Sequence, residues 1–146
     1  MTYDLNALSL PPQPTKEAGE MPKVSWESAS QGADHGPVVE RSEELAGYAV
    51  NFVTFRQDID QTPLLRGMPD DRCQCPHWGY VTKGRLTFRF ADHDEVFEAG
   101  DAFYLPPGHV GIGNEPDTEY MQFSPTEELR EVSAVMMKNL ESMQAR

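Results

Sequence analysis

The segment RCQCPHWGY, residues 72–80, holds both cysteines of the chain and one of its four histidines. Side chains alternate between the two faces of a β-strand, so Cys73, Cys75 and His77 would all point to the same side of an extended segment. Cysteine thiolates and histidine imidazoles are ligands of zinc, and they also suit iron and copper(I). The spacing therefore predicts a transition-metal site, with zinc as the first candidate and iron or copper next.

Two other interpretations of this segment remain open. A disulfide needs Cα atoms about 4.4–6.8 Å apart, and residues two apart on a strand are separated by roughly 6.5–7 Å, which is at or beyond that limit. The other interpretation is a plain core, because free cysteine is among the most buried residue types and a barrel histidine is often only hydrogen-bonded. Pro76 can also break the alternation just before His77.

The segments that must position these residues have the composition of short strands. They are rich in β-branched and aromatic residues, and Gly, Pro, Asp and Asn break them at intervals of roughly eight to twelve residues, a pattern typical of a β-sandwich or barrel. We predict a mainly β fold with strands in GYAVNFVTF (47–55), HWGYVT (77–82), RLTFRF (85–90), EVFEA (95–99), AFYLPP (102–107) and TEYMQF (118–123). KVSWES (23–28) is predicted as a further short strand, and SQGADHGP (30–37) as a loop.

The two ends of the chain differ from this β domain, which we place at residues 21–124. Residues 1–20 are polar and proline-rich and are predicted to be a flexible N-terminal arm. Residues 125–146 are predicted to be an amphipathic helix, with Ser124 as its N-cap. The helix carries an apolar stripe that should pack on the barrel or on a partner subunit, formed by Leu129, Val132, Met136, Leu140 and Met143.

Charge and motifs exclude several classes of function. The net charge is -12, from 24 acidic and 12 basic residues, and no lysine or arginine cluster offsets it, so neither nucleic acid nor an anionic membrane is an expected partner. No apolar run is long enough to span a membrane and the first residues do not resemble a secretion signal, which favours the cytoplasm. The chain has no glycine-rich phosphate loop, and no nucleotide or flavin cofactor is expected.

Residues 100–111, GDAFYLPPGHVG, resemble the second motif of the cupin superfamily. That motif runs Gly, five residues, Pro-x-Gly, two residues and a metal-binding His, and Gly100, Pro106 and Gly108 are in register with it. The resemblance covers about residues 48–124. It implies a cupin-type, jelly-roll β-barrel, with the predicted arm before it and the predicted helix after it.

The first cupin motif is His-x-His, three or four residues, Glu, six residues and Gly, and its residues are replaced here. With Gly84 as the final glycine, His77 takes the Glu position, Cys73 takes that of the second His and Asp71 that of the first. Cys75 lies between them. The resemblance thus implies that the ligands of a standard cupin site have been rewritten, with Asp71 as an added oxygen candidate.

In the second motif the histidine position is occupied by Gly111, and His109 lies two residues earlier. On an extended strand His109 would lie on the same face as that position. The predicted metal ligands are therefore Cys73, Cys75, His77 and His109. We expect two or three of the four to bind one ion.

The resemblance leaves the reaction open, since cupins include enzymes, storage proteins and sugar-binding regulators. Our leading hypothesis is a small cytoplasmic cupin with a non-standard metal site that binds or converts a small organic molecule in an apolar pocket lined by Phe88, Phe90 and Tyr104 or their neighbours. If it is an enzyme, it would be a metal-dependent oxygenase or isomerase. The alternative is a metal-free, non-catalytic cupin that serves as a ligand sensor or dimeric module. A homodimer is expected in either case.

Overall fold

Two antiparallel sheets face each other across an apolar interior in residues 22–145, the part of the chain that the computed structural model describes. The six-stranded sheet has the order β1-β2-β3-β9-β4-β7, and the three-stranded sheet has the order β6-β5-β8. The strands are β1 Gln31–Asp34, β2 Val38–Leu45, β3 Tyr48–Phe55, β4 His77–Lys83, β5 Arg85–Arg89, β6 Asp94–Glu98, β7 Ala102–Leu105, β8 Val110–Asn114 and β9 Thr118–Pro125. This arrangement confirms the predicted mainly β fold. The arm predicted for residues 1–20 lies outside the described residues.

The predicted strands after residue 46 are confirmed, but those before it are not. KVSWES contains a turn instead of a strand, and the predicted loop contains β1. Strand β2 was not predicted because four of its eight side chains are charged, which hides any apolar alternation. It is held instead by backbone pairing with β1 on one side and β3 on the other. Strand β8, VGIGN, was also missed because two glycines interrupt it.

The interior between the sheets is filled mainly by apolar side chains, aromatic ones above all. Phe103 stacks on Phe97 with ring centroids 5.1 Å apart, and the Phe55 and Tyr120 rings are 5.6 Å apart. The buried members of this cluster are Val53, Phe55, Val81, Leu86, Phe88, Phe103, Leu105 and Tyr120. Burial of side chains of this size contributes roughly 1.5–3 kcal/mol each and holds the two sheets together.

The C-terminal helix α1, Thr126–Gln144, packs on its own barrel, one of the two surfaces that its apolar stripe left open. Its Val132 is buried in a cluster with Leu65, which belongs to the short 3-10 helix Thr62–Leu65. The Asn139 side chain donates hydrogen bonds to the carbonyl oxygens of Leu64 and Arg66, at 2.7 Å and 2.9 Å. The helix therefore closes one end of the β domain over the connection between β3 and β4.

The predicted N-cap of this helix is wrong. The capping residue is Pro125, no side chain caps the helix, and Ser124 is the penultimate residue of β9. The Ser124 hydroxyl is used inside the barrel, where it is bonded to His77. In the described residues, no helix is both long and apolar enough to cross a membrane.

Candidate metal centre

Three side chains from different parts of the chain converge where the two sheets meet: Cys73, His77 and His109. One donor atom from each lies within 4.8 Å of the donor atoms of the other two. All three residues are buried, with 5%, 6% and 2% of their surface exposed, respectively. Two imidazoles and a thiol in one buried cluster form a donor set that could bind a metal ion.

The backbone of both sheets positions these donors. His77 is the first residue of β4 in the six-stranded sheet, and His109 immediately precedes β8 in the three-stranded sheet. Cys73 lies outside β4 and pairs with His109 instead, its N–H donating to the His109 carbonyl at 2.8 Å. The Gly108 N–H donates to the Cys73 carbonyl at 2.8 Å, and the left-handed φ of +96° at Gly108 permits this turn. Backbone pairing thus connects two of the three donors directly.

Cys75 is not part of this cluster, so three of the four predicted ligands converge in the structure. The alternation on which that prediction rested requires a strand through residues 73–77, whereas β4 begins only after Pro76. The Cys75 thiol donates to the Pro76 carbonyl at 3.4 Å and, like Cys73, packs in the apolar cluster that includes Val132 of helix α1. Both cysteines are free thiols, so the structure contains no disulfide between Cys73 and Cys75.

Asp71 also lies away from the cluster. It belongs to a second short 3-10 helix, Pro69–Asp71, where its side chain is exposed and accepts a hydrogen bond from the Gly67 N–H at 2.9 Å. The carboxylate therefore stabilises the connection before β4. Its position in the cupin motif and its strand parity indicated Asp71 as a ligand, and strand parity does not hold through a 3-10 turn.

Each histidine has its Nδ1 bonded to an oxygen outside the cluster. His109 Nδ1 lies 2.7 Å from the Pro106 carbonyl, which can only accept, so this nitrogen carries the proton and the Nε2 lone pair stays free. His77 Nδ1 lies 2.6 Å from the Ser124 hydroxyl, and its Nε2 lies 3.5 Å from Cys73 Sγ. Oxygen partners of this kind commonly orient metal-binding histidines. Ser124 was missed from the sequence because it lies 47 residues from His77.

The distance between Cys73 Sγ and His77 Nε2 fits a tetrahedral zinc ion. Zinc–sulfur bonds of about 2.3 Å and zinc–nitrogen bonds of about 2.0–2.1 Å place neighbouring ligand atoms about 3.5 Å apart. The observed separation is 3.5 Å. A donor atom of His109 lies within 4.8 Å of both, so all three side chains are close enough to share one ion.

Burial keeps all three donors uncharged when no ion is bound. It lowers the pKa of His77 to about 3, assisted by the nearby His109, and it also lowers the pKa of His109. Burial raises the pKa of the Cys73 thiol to about 11. The imidazoles are thus ready to bind at neutral pH, whereas Cys73 must release a proton to become a thiolate ligand.

At Gly111, the usual cupin histidine position, the Gln61 side chain fills the space that a side chain would take. A Cβ there would lie 2.9 Å from the Oε1 atom of Gln61 and 3.4 Å from the ring of Phe88. The Gln61 N–H also donates to the Gly111 carbonyl at 2.8 Å, which holds this connection against β8. The Gln61 side chain thus occupies space that a cupin histidine would need, and His109 supplies the imidazole from two residues earlier.

The predicted apolar pocket is only partly reproduced. The buried Phe88 ring lies beside His109, with centroids 5.9 Å apart, and Phe90 packs half-buried against the core. Tyr104, by contrast, is 50% exposed on the outer face of the six-stranded sheet. Its neighbours Phe103 and Leu105 are the β7 residues that point inward. Tyr104 therefore points to the outside of the barrel and does not line the interior.

We expect Ser124→Ala to weaken metal binding by about 10- to 100-fold, the usual cost of losing a partner that orients a metal ligand. The substitution removes the oxygen bonded to His77 Nδ1 and lets the ring rotate. Thr126→Val is a matched control, because the buried Thr126 hydroxyl has no hydrogen-bond partner among residues 22–145. Competition with a chelator measures both affinities. Equal affinities in the two variants would show that Ser124 does not orient the site.

The comparisons agree with this architecture. No protein-family model and no curated protein sequence matches the chain. Among solved structures, an RmlC-like cupin from Shewanella frigidimarina superposes with a TM-score of 0.51 at 16% identity, over 73% of this chain and 92% of that chain. A protein of unknown function from Rhizobium leguminosarum superposes with a TM-score of 0.53 at 16% identity, over 72% of this chain and 95% of that chain.

At such low identity the likeness establishes the fold alone. Two antiparallel sheets enclosing an apolar interior, with a buried cluster of one thiol and two imidazoles where they meet, define a small β-barrel protein. More specifically, the chain has the cupin fold, as the motif in residues 100–111 predicted.

Proposed function

We propose that this protein is a metal-binding cupin in which Cys73, His77 and His109 hold one ion. The convergence of these three buried donors from two sheets, with both Nδ1 atoms bonded outside the cluster, carries the proposal. A set of two nitrogens and one sulfur favours zinc, with iron or copper next. An ion held by these three residues would leave a fourth position for a water or ligand oxygen and would supply Lewis-acid chemistry there.

We further propose that the ligand is a small polar organic molecule with a hydrogen-bond donor. Asn51 points into the barrel from β3 and is 8% exposed, and its Oδ1 atom has no hydrogen-bond partner among the described residues. Asn51 pairs with Gln122, which pairs with Gly79, two residues beyond His77 on β4. Asn51 thus lies one row of side chains from the metal cluster. A hydroxyl or amine of the ligand would satisfy the amide oxygen and orient the ligand toward the ion.

The test uses the two cysteines as a matched pair. Protein purified without chelators is expected to contain one transition-metal ion per chain, measured by elemental analysis. Cobalt(II) added to the metal-free protein should give a thiolate-to-cobalt charge-transfer band. Cys73→Ser should lose that band, whereas Cys75→Ser should keep it, because the Cys75 thiol lies outside the three-donor cluster and donates to the Pro76 carbonyl. Equal loss in both variants, or a wild type that binds no metal, would overturn the proposal.

The rival function is a metal-free cupin that serves as a ligand sensor or interaction module. One observation favours it: the 3.5 Å separation of Cys73 Sγ and His77 Nε2 also suits a hydrogen bond from the thiol to the imidazole. On that interpretation Cys73→Ser changes stability and no metal property. The elemental analysis above separates the two functions.

A further inference from the structure

The outer face of the six-stranded sheet carries an exposed aromatic patch that the metal site does not use. Five aromatic side chains on four adjacent strands are between 39% and 50% exposed there. We define the aromatic patch by these residues: Tyr48, Trp78, Tyr80, Tyr104 and Phe123. Scattered exposed apolar residues are normal on protein surfaces, but a contiguous group of this kind marks an interaction surface.

Strand register makes the aromatic patch continuous. Trp78 on β4 lies directly opposite Phe123 on β9 and also opposite Tyr104 on β7. The Trp78 ring lies 5.2 Å from Tyr104 and 6.4 Å from Tyr48, measured between centroids. The residues that share this face between the aromatics, Met121 and Ala102, are uncharged as well. The patch is therefore a single uncharged surface on the central and edge strands of the sheet.

We propose that the aromatic patch is the interface of a homodimer, formed with the same patch of a second copy of this chain. Its size supports a dimer. An aromatic side chain buries about 150–250 Å² in full, so five of them at roughly half exposure offer about 450 Å². A standard interface buries about 800 Å² per partner around an apolar, aromatic-rich centre. The patch supplies that centre, and its polar surroundings would form the rim.

Charge favours a second copy over a different partner. The chain carries a net charge of -12, so two copies repel each other except where carboxylates are absent. The outward carboxylate on β9, Glu119, lies beyond Met121 and therefore outside the aromatic patch. A basic partner would instead seek acidic surface. A two-fold symmetric contact needs only a self-complementary patch, and the tilted rings present both edges and faces for such packing.

This location differs from the helix interface suggested by the apolar stripe of residues 129–143. Helix α1 buries Val132 on its own barrel, and its exposed Met137 and Met143 lie outside the aromatic patch. The proposed interface is independent of the metal site: it requires no ion, and it uses the opposite face of β4 from His77.

Matched glutamate variants of the full-length chain test the proposal. Sedimentation equilibrium of the wild type should give twice the 16.4 kDa mass of one chain. Tyr104→Glu and Tyr80→Glu should each raise the dimer dissociation constant by at least about 30-fold, as expected for central aromatic residues. Met137→Glu adds the same charge at a helix residue that is 43% exposed, the same fraction as Tyr80, and should leave the dimer intact. Circular dichroism confirms that each variant is folded, and Tyr104→Ser replaces any glutamate variant that is not.

A monomeric wild type, or equal weakening by the patch variants and Met137→Glu, would overturn the proposal. Acrylamide quenching of tryptophan fluorescence then identifies the alternative. If Trp78 is shielded in a monomer, the patch is covered by the chain itself, for which residues 1–21 are the candidate segment. If Trp78 is accessible in a monomer, the patch is free for a different protein.

Discussion

Metal affinity is expected to rise about tenfold for each pH unit between about pH 7 and pH 9, or roughly 100-fold over that range. The cause is the Cys73 thiol, whose pKa burial raises to about 11 in the metal-free protein. Throughout this range the ion must displace one proton from Cys73, so higher pH favours binding. The direction would be the same for any thiol ligand, but the raised pKa extends the slope well beyond neutral pH.

The histidines should add nothing to this slope. The pKa of His77 is lowered to about 3 by burial and by His109, and the pKa of His109 is also lowered by burial. Both imidazoles are therefore unprotonated from about pH 7 upward. A conventional exposed histidine site would instead gain affinity only up to about pH 6.5 and then level off.

Titration calorimetry in buffers of different ionisation enthalpy counts the protons released for each ion bound. We expect one proton from the wild type, and a flat pH profile for whatever binding remains in Cys73→Ser. Release of two protons that falls to one in Cys75→Ser would mean that Cys75 is also a ligand, since burial raises the pKa of that thiol to about 12. A flat wild-type profile would exclude Cys73 from the site.

The second large effect concerns the fold. Gly84→Ala is expected to lower the free energy of unfolding by about 3 kcal/mol or more, through left-handed strain and overpacking together. Gly84 has φ +82°, and a Cβ there would lie 2.9 Å from the Cα of Thr118. Thr118 cannot move aside easily, because it is fully buried and its hydroxyl donates to the Glu115 carbonyl at 2.7 Å while accepting from the Arg85 N–H at 3.1 Å.

Gly36→Ala separates the two contributions. Gly36 has a similar φ of +87°, but no atom lies within 4 Å of the position its Cβ would take. This control should therefore lose only about 1 kcal/mol from backbone strain. Urea denaturation of both variants measures the difference. Equal losses would show that crowding against Thr118 contributes nothing, and that Gly84 is needed only for its backbone conformation.

Local composition was sufficient to predict most of the fold. Strands β3, β4, β5 and β9 consist largely of β-branched and aromatic residues between turn residues, and the structure contains each of them close to the predicted bounds. Strand β2 could not be found in this way, because its charged residues are typical of a loop. Its stability depends on backbone pairing with β1 and β3. The composition of the β2 segment does not show that these strands lie beside it.

The sequence predicts the kinds of residue in the candidate site, but not which of the four predicted residues come together. Cys73, His77 and His109 were all named from the sequence, and the structure brings them within 4.8 Å of one another. Cys75 was named with them because the prediction assumed a straight strand through Pro76. The bridge between Cys73 and His109 replaces that strand, and it joins residues 36 positions apart that no periodicity connects.

The sequence by itself determined the class of fold, the residue types available to a metal and the glycines that its turns require, because each depends on neighbouring residues. Only the tertiary structure decided which cysteine faces the imidazoles, that Ser124 bonds His77 instead of capping the helix, and that Tyr104 points outward with Trp78. These choices depend on strand register and on pairing between distant segments. A shift of one residue in register turns every side chain to the opposite face, so composition alone cannot specify them.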